Sequence, residues 1–291
     1  MNFTALILLG LEVSLTLIVF SLGLGASFRD ATFLFRNPGQ FVRAFLSMNV
    51  VMPLLALALG ATFNLHPAVK IAFVVIAVSP VPPVFPKKAI KSGCKEDYAV
   101  GLVVAISLLS ILIVPVTMGV IGGLANIHLQ MPAFQVAKLV LTSVFAPLLT
   151  GMVIRTMLPR LAENFAGPLN KLATAVLLLC ALPVLFASMK DVGALIGNGT
   201  LLSVVAFAVG GLIIGHLIGG PTAENRRVLS LATATRHPAI AAAIAHTNFP
   251  SQKLAVPAII LYLLVAGVLS AFVSRKPAAT ERSETTIPRA A

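Results

Sequence analysis

The stretch "SPVPPVFP", from Ser79 to Pro86, places four prolines within eight residues of an otherwise apolar segment. Each proline removes a backbone donor and clashes with the preceding turn, which costs about 3 kcal/mol in a helix interior. A single helix therefore cannot run through this stretch. The sequence predicts a half-helix from Pro67 to Val78, an extended crossing, and a short helix that begins near Pro86. The breaking residues are Pro80, Pro82, Pro83 and Pro86.

A second break interrupts "LATATRHPAIAAAIAH", from Leu231 to His246, where Arg236, His237 and Pro238 follow one another among small apolar residues. Pro238 disfavours helical geometry at His237. It also leaves the carbonyl of Ala234 without its usual amide partner. A broken helix is tolerated inside a membrane only where the freed backbone groups face protein or line a cavity.

The composition of the whole chain indicates a membrane protein. Its 291 residues are 58% hydrophobic and 10% charged, whereas a soluble domain carries about 25% charged residues. Long apolar runs recur, each near the ~20 residues that a helix needs to cross a bilayer. The runs lack the polar–apolar alternation of membrane β-strands. The sequence therefore predicts an all-α, multi-pass membrane protein.

We expect nine transmembrane helices, of which the third and the eighth contain the breaks. Their approximate bounds are 5–26, 41–62, 67–92, 98–121, 134–156, 170–189, 199–219, 228–247 and 254–274. The first apolar run has no basic residue before it, so we interpret it as a span rather than a signal peptide. The polar stretch 275–291 is expected to be a disordered cytoplasmic tail.

The basic residues set the expected orientation. With nine spans, sixteen Lys and Arg residues fall on one side, and only Lys70, Lys190 and Lys253 fall on the other. Because basic residues concentrate in cytoplasmic loops, we expect the N-terminus outside and the C-terminus in the cytoplasm, with the chain in the inner (plasma) membrane. The net charge of +12 is thus a topology signal, and it does not indicate nucleic-acid binding.

The two breaks occupy corresponding positions. Each lies in the span before the last of its half, and the two spans run in opposite directions. Interrupted helices in matched positions are typical of inverted-repeat transporters, whose binding site lies at the crossing. The alternative interpretation is a pair of ordinary proline kinks.

Three segments carry a resemblance to a known family. They are "FSLGLGASFRDATFLFRNPGQFVRAFLSMNVVMPLLA", the proline-rich stretch 79–93, and "ATATRHPAIAAAIA". With them the chain resembles the bile acid:sodium symporter family over nearly its whole length. The resemblance implies an inverted repeat with a panel domain (5–26 and 134–189) and a core domain (41–121 and 199–274). It also implies that the broken helices cross in the core, and that the substrate is an organic anion, usually driven by sodium.

The chain departs from the family pattern where sodium would bind. The resemblance implies Thr, Ser and Asn after the first crossing, but none follows Ser79 up to Lys88. It implies a Glu and then a Gln-Asn pair at the second crossing, where this chain has Ala232, Arg236 and His237. Because a guanidinium has only donors and a positive charge, we expect the usual sodium sites to be absent, and we predict no metal.

Arg236 is the leading candidate for the substrate site. It lies near the middle of its span, where a charge costs at least about 2.5 kcal/mol, and its paired donors match a carboxylate. The alternative is a structural role, either in an ion pair with Glu12 or as a cap for carbonyls of the broken helices. Glu12 alternatively balances Lys138. His237 either tunes the site or is a satisfied core histidine.

Six further residues are weighed as substrate ligands. Lys87 and Lys88 either bind the substrate or extend to the membrane surface. Thr233, Thr235 and Ser79 either contact the substrate or satisfy freed backbone groups. Asn49 lies near a position that supplies a polar ligand in relatives, as the resemblance implies.

We conclude from the sequence that the protein is a secondary transporter of a small organic anion, working by alternating access. One alternative is a sodium-coupled symporter with unrecognised ligands, and another is a non-transporting membrane sensor or scaffold. An enzyme is not expected, because no nucleophile–base pair, metal cluster or phosphate loop is recognisable. The two cysteines have no metal or disulfide spacing, and no cofactor is predicted. The expected partners are a small anionic solute and the lipid bilayer, with the oligomeric state open.

Overall fold

The structure is a computed structural model that describes residues 3–125, 129 and 131–275. All regular secondary structure in these residues is helical, and this confirms the predicted all-α membrane class. Apart from Arg275, the predicted tail lies outside the described residues.

The described ranges contain fifteen α-helices and two π-helical segments. The first half comprises α1 (Phe3–Gly25), α2 (Phe28–Ala31), α3 (Phe33–Arg36), α4 (Pro38–Phe45), a π segment (Leu46–Val51), α5 (Met52–Thr62), α6 (Pro67–Val78), α7 (Phe85–Lys91) and α8 (Glu96–Ala125). The second half comprises α9 (Ala133–Val140), a π segment (Leu141–Phe145), α10 (Ala146–Met157), α11 (Pro159–Leu195), α12 (Thr200–Ile218), α13 (Ala223–Ala234), α14 (Pro238–Asn248) and α15 (Ala255–Arg275).

Eight helical segments of the described chain are long and apolar enough to cross a membrane. They are Ala5–Gly25, Pro38–Thr62, Glu96–Gly123, Ala133–Met157, Pro159–Leu195, Thr200–Ile218, Ala223–Asn248 and Ala255–Ser274. The predicted third span is the exception among the nine, because it consists of the 12-residue α6 and the 7-residue α7. The inverted-repeat topology stays a prediction.

Two groups of helices pack closely. Helix α1 packs against α10 and α11, and a Cβ on Gly151 of α10 would overlap the carbonyl oxygen of Phe20 on α1. Helix α12 packs against α13, where a Cβ on Gly215 would overlap the backbone of Leu229. Small residues thus let these membrane helices approach closely. The division into panel and core domains stays a prediction.

An aromatic cluster holds α6, α12 and α15 together. The rings of Phe73 and Phe207 lie 4.8 Å apart between centroids, and those of Phe207 and Tyr262 lie 5.4 Å apart. All three side chains are buried, and their spacing is that of favourable tilted aromatic pairs. The cluster fixes α15 beside the break between α13 and α14.

Candidate functional site

The two broken segments meet in the interior. Residues 79–84 are non-helical between α6 and α7, and residues 235–237 are non-helical between α13 and α14. The backbone amide of His237 donates a hydrogen bond to the carbonyl of Pro80, with N and O 2.8 Å apart. The predicted contact between the two breaks is therefore confirmed. The short helix predicted near Pro86 begins at Phe85.

Arg236 lies inside this crossing, with 1% of its surface exposed. Its guanidinium donates to three backbone carbonyls from three parts of the chain. Nε donates to Thr233 at 3.1 Å, Nη1 to Ser79 at 3.0 Å, and Nη2 to Met48 at 2.9 Å. These three carbonyl oxygens and the guanidinium they surround are called the carbonyl cage below.

The carbonyl of Met48 is free for Arg236 because a proline, Pro53, follows the π segment. The amide of Met52 bonds to the carbonyl of Ser47, five residues earlier. In the same register the next bond would join Pro53 to Met48, but proline has no amide hydrogen. The π segment therefore leaves one carbonyl unpaired at the position where the guanidinium reaches it. A π segment at a functional position is a common feature of membrane and soluble helices alike.

The other two carbonyls are free for different reasons. The residues three and four places after Ser79 are Pro82 and Pro83, so neither can donate to its carbonyl. The helical partner of the Thr233 carbonyl would be the amide of His237, which instead bonds to Pro80. The sequence breaks thus produce the acceptors that the arginine satisfies.

The positive charge of Arg236 is balanced by helix ends. Ser79 directly follows the C-terminus of α6, and Thr233 lies in the last turn of α13, where the helix dipole is negative. No carboxylate of the described chain pairs with Arg236. The ion pair that the described residues contain joins Lys95 Nζ to Glu224 Oε2, 3.0 Å apart. Glu12 is exposed on α1 and pairs with neither Arg236 nor Lys138. Of the roles that the sequence left open for Arg236, the geometry matches that of a cap on the carbonyls of the broken helices.

Tyr262 completes the crossing and was not identified from the sequence. Its hydroxyl donates to the carbonyl of Ala234 at 2.7 Å. Pro238 left that carbonyl without an amide partner, as the sequence predicted. The identity of its new donor depends on the packing of α15, which no local pattern reveals.

Two of the predicted substrate ligands satisfy backbone groups. Ser79 Oγ donates to Ile76 O at 2.8 Å. Thr233 Oγ1 donates to Leu229 O at 2.7 Å and lies 2.8 Å from Ser47 Oγ. Both side chains are fully buried. Neither presents an unpaired polar atom at the crossing.

Three other predicted residues do present unpaired polar atoms. His237 Nδ1 accepts from the amide of Ile240 at 3.5 Å, so the proton of the neutral ring lies on Nε2. That Nε2, Asn49 Nδ2 and Thr235 Oγ1 are buried, with no hydrogen-bond partner among the described protein atoms. Each can donate a hydrogen bond. These three atoms are called the crossing donors below.

Lys87 and Lys88 lie at a different place, in a cavity of about 490 Å³. This space is called the basic cavity below. Its lining comes from four helices and from the residues on either side of α7. The lining residues are Ile18 of α1; Lys87, Lys88 and Lys91 of α7, with Val84 before it and Ser92 after it; Asn170, Thr174 and Leu177 of α11; and Ala271 and Ser274 of α15. Lys87 Nζ donates to Ser21 Oγ of α1. The structure therefore separates the predicted ligands into a crossing set and a cavity set, and adds Lys91 to the latter.

Broken helices that meet inside an apolar helical bundle define a class of membrane transporter. The sodium bile acid symporter family matches residues 12–194, and the chain belongs to this family. This confirms the resemblance, although the matched range ends before α12 and so does not include Arg236. No curated protein matches the chain.

Proposed function

We propose that the protein is a secondary transporter of a small organic anion, in which Arg236 takes the place of a coupling sodium ion. The observation that carries the proposal is the carbonyl cage around the buried guanidinium. Membership of a transporter family supports the transport part of the proposal. The carbonyl cage supports the proposal that Arg236 takes the place of the coupling sodium ion.

The chemistry of the cage is that of a cation site. Carbonyl oxygens are ligands for hard cations, and here they lie at the negative ends of α6 and α13. A guanidinium in this place donates hydrogen bonds to the three oxygens and repels any second cation. Ala232, which replaces the acid that the family resemblance implies, removes a negative charge from the same region. The crossing therefore holds a permanent, tethered cation.

In this proposal the substrate anion does not bind at the guanidinium. A direct bond between Arg236 and a carboxylate would require the side chain to leave its three carbonyls, because so little of it is exposed. We assign the anion to the basic cavity, whose wall begins at Val84, the last residue of the first crossing. The crossing donors offer a second, uncharged position for substrate oxygens.

Transport would follow from motion of α1 and α11 relative to α7 and α15. All four helices line the basic cavity, and Lys87 of α7 donates a hydrogen bond to Ser21 of α1. Alternating access in crossed-helix transporters moves one bundle against the other around a fixed site. Because Lys91 and Ser92 at the C-terminal end of α7 line the cavity, we place its entrance on the side that we assign to the cytoplasm.

Two measurements on purified protein test the proposal. Thermal unfolding in detergent should be the same in sodium, potassium and choline chloride at equal ionic strength, because no sodium site remains to be filled. Uptake of radiolabelled mono- and dicarboxylates, including cholate and succinate, should then proceed equally in sodium and choline media in proteoliposomes. Stabilisation by sodium alone, or uptake that requires sodium, would favour symport through other ligands and overturn the tethered-cation role. A protein that neither binds nor moves any solute of the set would be a sensor or scaffold.

A further inference from the structure

The basic cavity has an unusual balance of charge. Three lysines line it and no carboxylate does. None of the three takes part in the ion pair found in the described chain, which uses Lys95. The cavity wall therefore carries three positive charges without a protein counter-charge.

The three lysines share one short helix. Lys87 and Lys91 are four residues apart on α7, a spacing that brings side chains together on one helix face and makes like charges repel. Lys88 adds a third charge on the same seven-residue element. Concentrated like charge in a cleft raises the local concentration of the opposite charge.

Lys87 is held in place by one hydrogen bond, and its ammonium group has further donors. Ser21 Oγ donates its own hydrogen to Ile18 O at 3.0 Å, so it accepts from Lys87 Nζ. An ammonium group has three donors, and this contact uses one of them. The remaining donors are available to a ligand in the cavity.

The other polar residues of the lining are uncharged. Asn170 and Thr174 of α11 and Ser274 of α15 line the same cavity as the lysines. Asn170 Oδ1 is buried without a hydrogen-bond partner among the described protein atoms. Apolar lining comes from Ile18, Leu177 and Ala271. A ligand that suits this lining carries more than one negative charge for the lysines, and any hydroxyl or amide group on it can pair with the uncharged polar side chains.

We propose that the basic cavity binds a small solute with at least two negative charges, either a dicarboxylate or an organic phosphate. This inference rests on the proposed function and names its substrate class. One carboxylate can engage two ammonium groups, which leaves the third without a partner, whereas a dianion supplies oxygens for all three. The volume of about 490 Å³ lies within the range of small-molecule sites, roughly 300–1,000 Å³.

The first experiment compares anions on detergent-purified protein without added lipid. Succinate and inorganic phosphate should raise the unfolding temperature in proportion to their binding, whereas acetate and cholate at equal ionic strength should have a much smaller effect. The Lys87→Gln and Lys91→Gln variants should each weaken succinate binding about tenfold. Lys190→Gln is the matched control, because this exposed lysine of α11 lies outside the cavity lining. Lys88→Arg should retain binding, which keeps the test informative if a glutamine variant fails to fold.

The second experiment separates a solute from a lipid headgroup. Phosphate bound by the cavity could also belong to an anionic lipid, since basic pockets between membrane helices bind such headgroups. In nanodiscs of phosphatidylcholine, succinate binding should persist, and phosphatidylglycerol should compete only weakly. Binding that appears with phosphatidylglycerol alone would overturn the solute assignment. Sodium-independent uptake of cholate without any dianion binding would overturn this inference and leave the proposed function standing.

Discussion

The backbone amide of His237 donates to the carbonyl of Pro80 across the crossing, at 2.8 Å. This bond joins the two broken segments directly. It also takes the amide away from the carbonyl of Thr233, which Arg236 then satisfies. One main-chain contact between distant parts of the sequence thus both closes the crossing and opens an acceptor for the buried cation.

Tyr262→Phe should destabilise the protein without disturbing its aromatic packing. The substitution leaves the buried carbonyl of Ala234 unpaired, at a cost of about 1–3 kcal/mol, while the ring keeps its contact with Phe207. Thermal unfolding in detergent should show a lower midpoint than the wild type.

Tyr98→Phe is the matched control for this change. Tyr98 is equally buried, but its hydroxyl has no hydrogen-bond partner among the described atoms. Its removal should have little effect or stabilise the protein slightly. Equal losses for the two variants would mean that the Tyr262–Ala234 bond contributes nothing specific.

The fold could be predicted because proline acts locally. Single prolines such as Pro115 and Pro183 lie inside continuous helices. The cluster from Pro80 to Pro86 and the Arg236–His237–Pro238 triplet are stronger signals, so the two interruptions followed from the sequence alone. The acceptors around Arg236 could not be predicted in the same way. The carbonyl of Met48 becomes free only because Pro53 falls in a π register, and it meets Arg236 only after folding.

The cavity set shows a second limit of sequence reasoning. Lys87 and Lys88 fit a membrane-surface role as well as a substrate role, because long side chains reach either way. Which of the two roles the lysines have depends on α1, α11 and α15, which line the basic cavity together with α7. Asn170 and Thr174 had no motif around them, so their place in the same cavity as the lysines could not be expected from spacing.

A fusion experiment tests the expected orientation. Because sixteen basic residues gather on one side of the predicted topology, a green fluorescent protein fused after residue 291 should fluoresce in the cytoplasm. Alkaline phosphatase at the same position should be inactive. An active phosphatase fusion would place the C-terminus outside and reverse the side to which the basic cavity opens.

Cys94 should react slowly with thiol reagents in the folded protein. It lies between α7 and α8 with 7% of its surface exposed. Burial raises the pKa of its thiol to about 11, an effect partly offset by Arg227. At pH 8 about one molecule in a thousand would therefore carry the reactive thiolate. In a Cys180→Ala background, N-ethylmaleimide should label Cys94 slowly before unfolding and quickly after it. Fast labelling of the folded protein would show that the loop beside the basic cavity opens readily.

Arg236→Gln tests the tethered cation directly. The change leaves three carbonyls facing a neutral side chain, and unpaired buried groups cost about 1–3 kcal/mol each. We expect a lower unfolding midpoint, and somewhat weaker succinate binding because the long-range attraction of a buried positive charge is lost. Arg236→Lys should recover only part of both, since an ammonium group cannot reproduce the planar fork that reaches Thr233, Ser79 and Met48.

The decisive variant is Arg236→Ala, which empties the cage while keeping its carbonyls. If those oxygens form a cation site, low concentrations of guanidinium or methylguanidinium should raise the unfolding midpoint of this variant and leave that of the wild type unchanged. Sodium should also stabilise the variant, because the oxygens at the ends of α6 and α13 are then free to bind it. Tyr262→Phe serves as the control, since it lowers stability without emptying the cage. An Arg236→Ala protein that folds as stably as the wild type and ignores every cation would show that the guanidinium is dispensable, and the sodium-replacement role would be wrong.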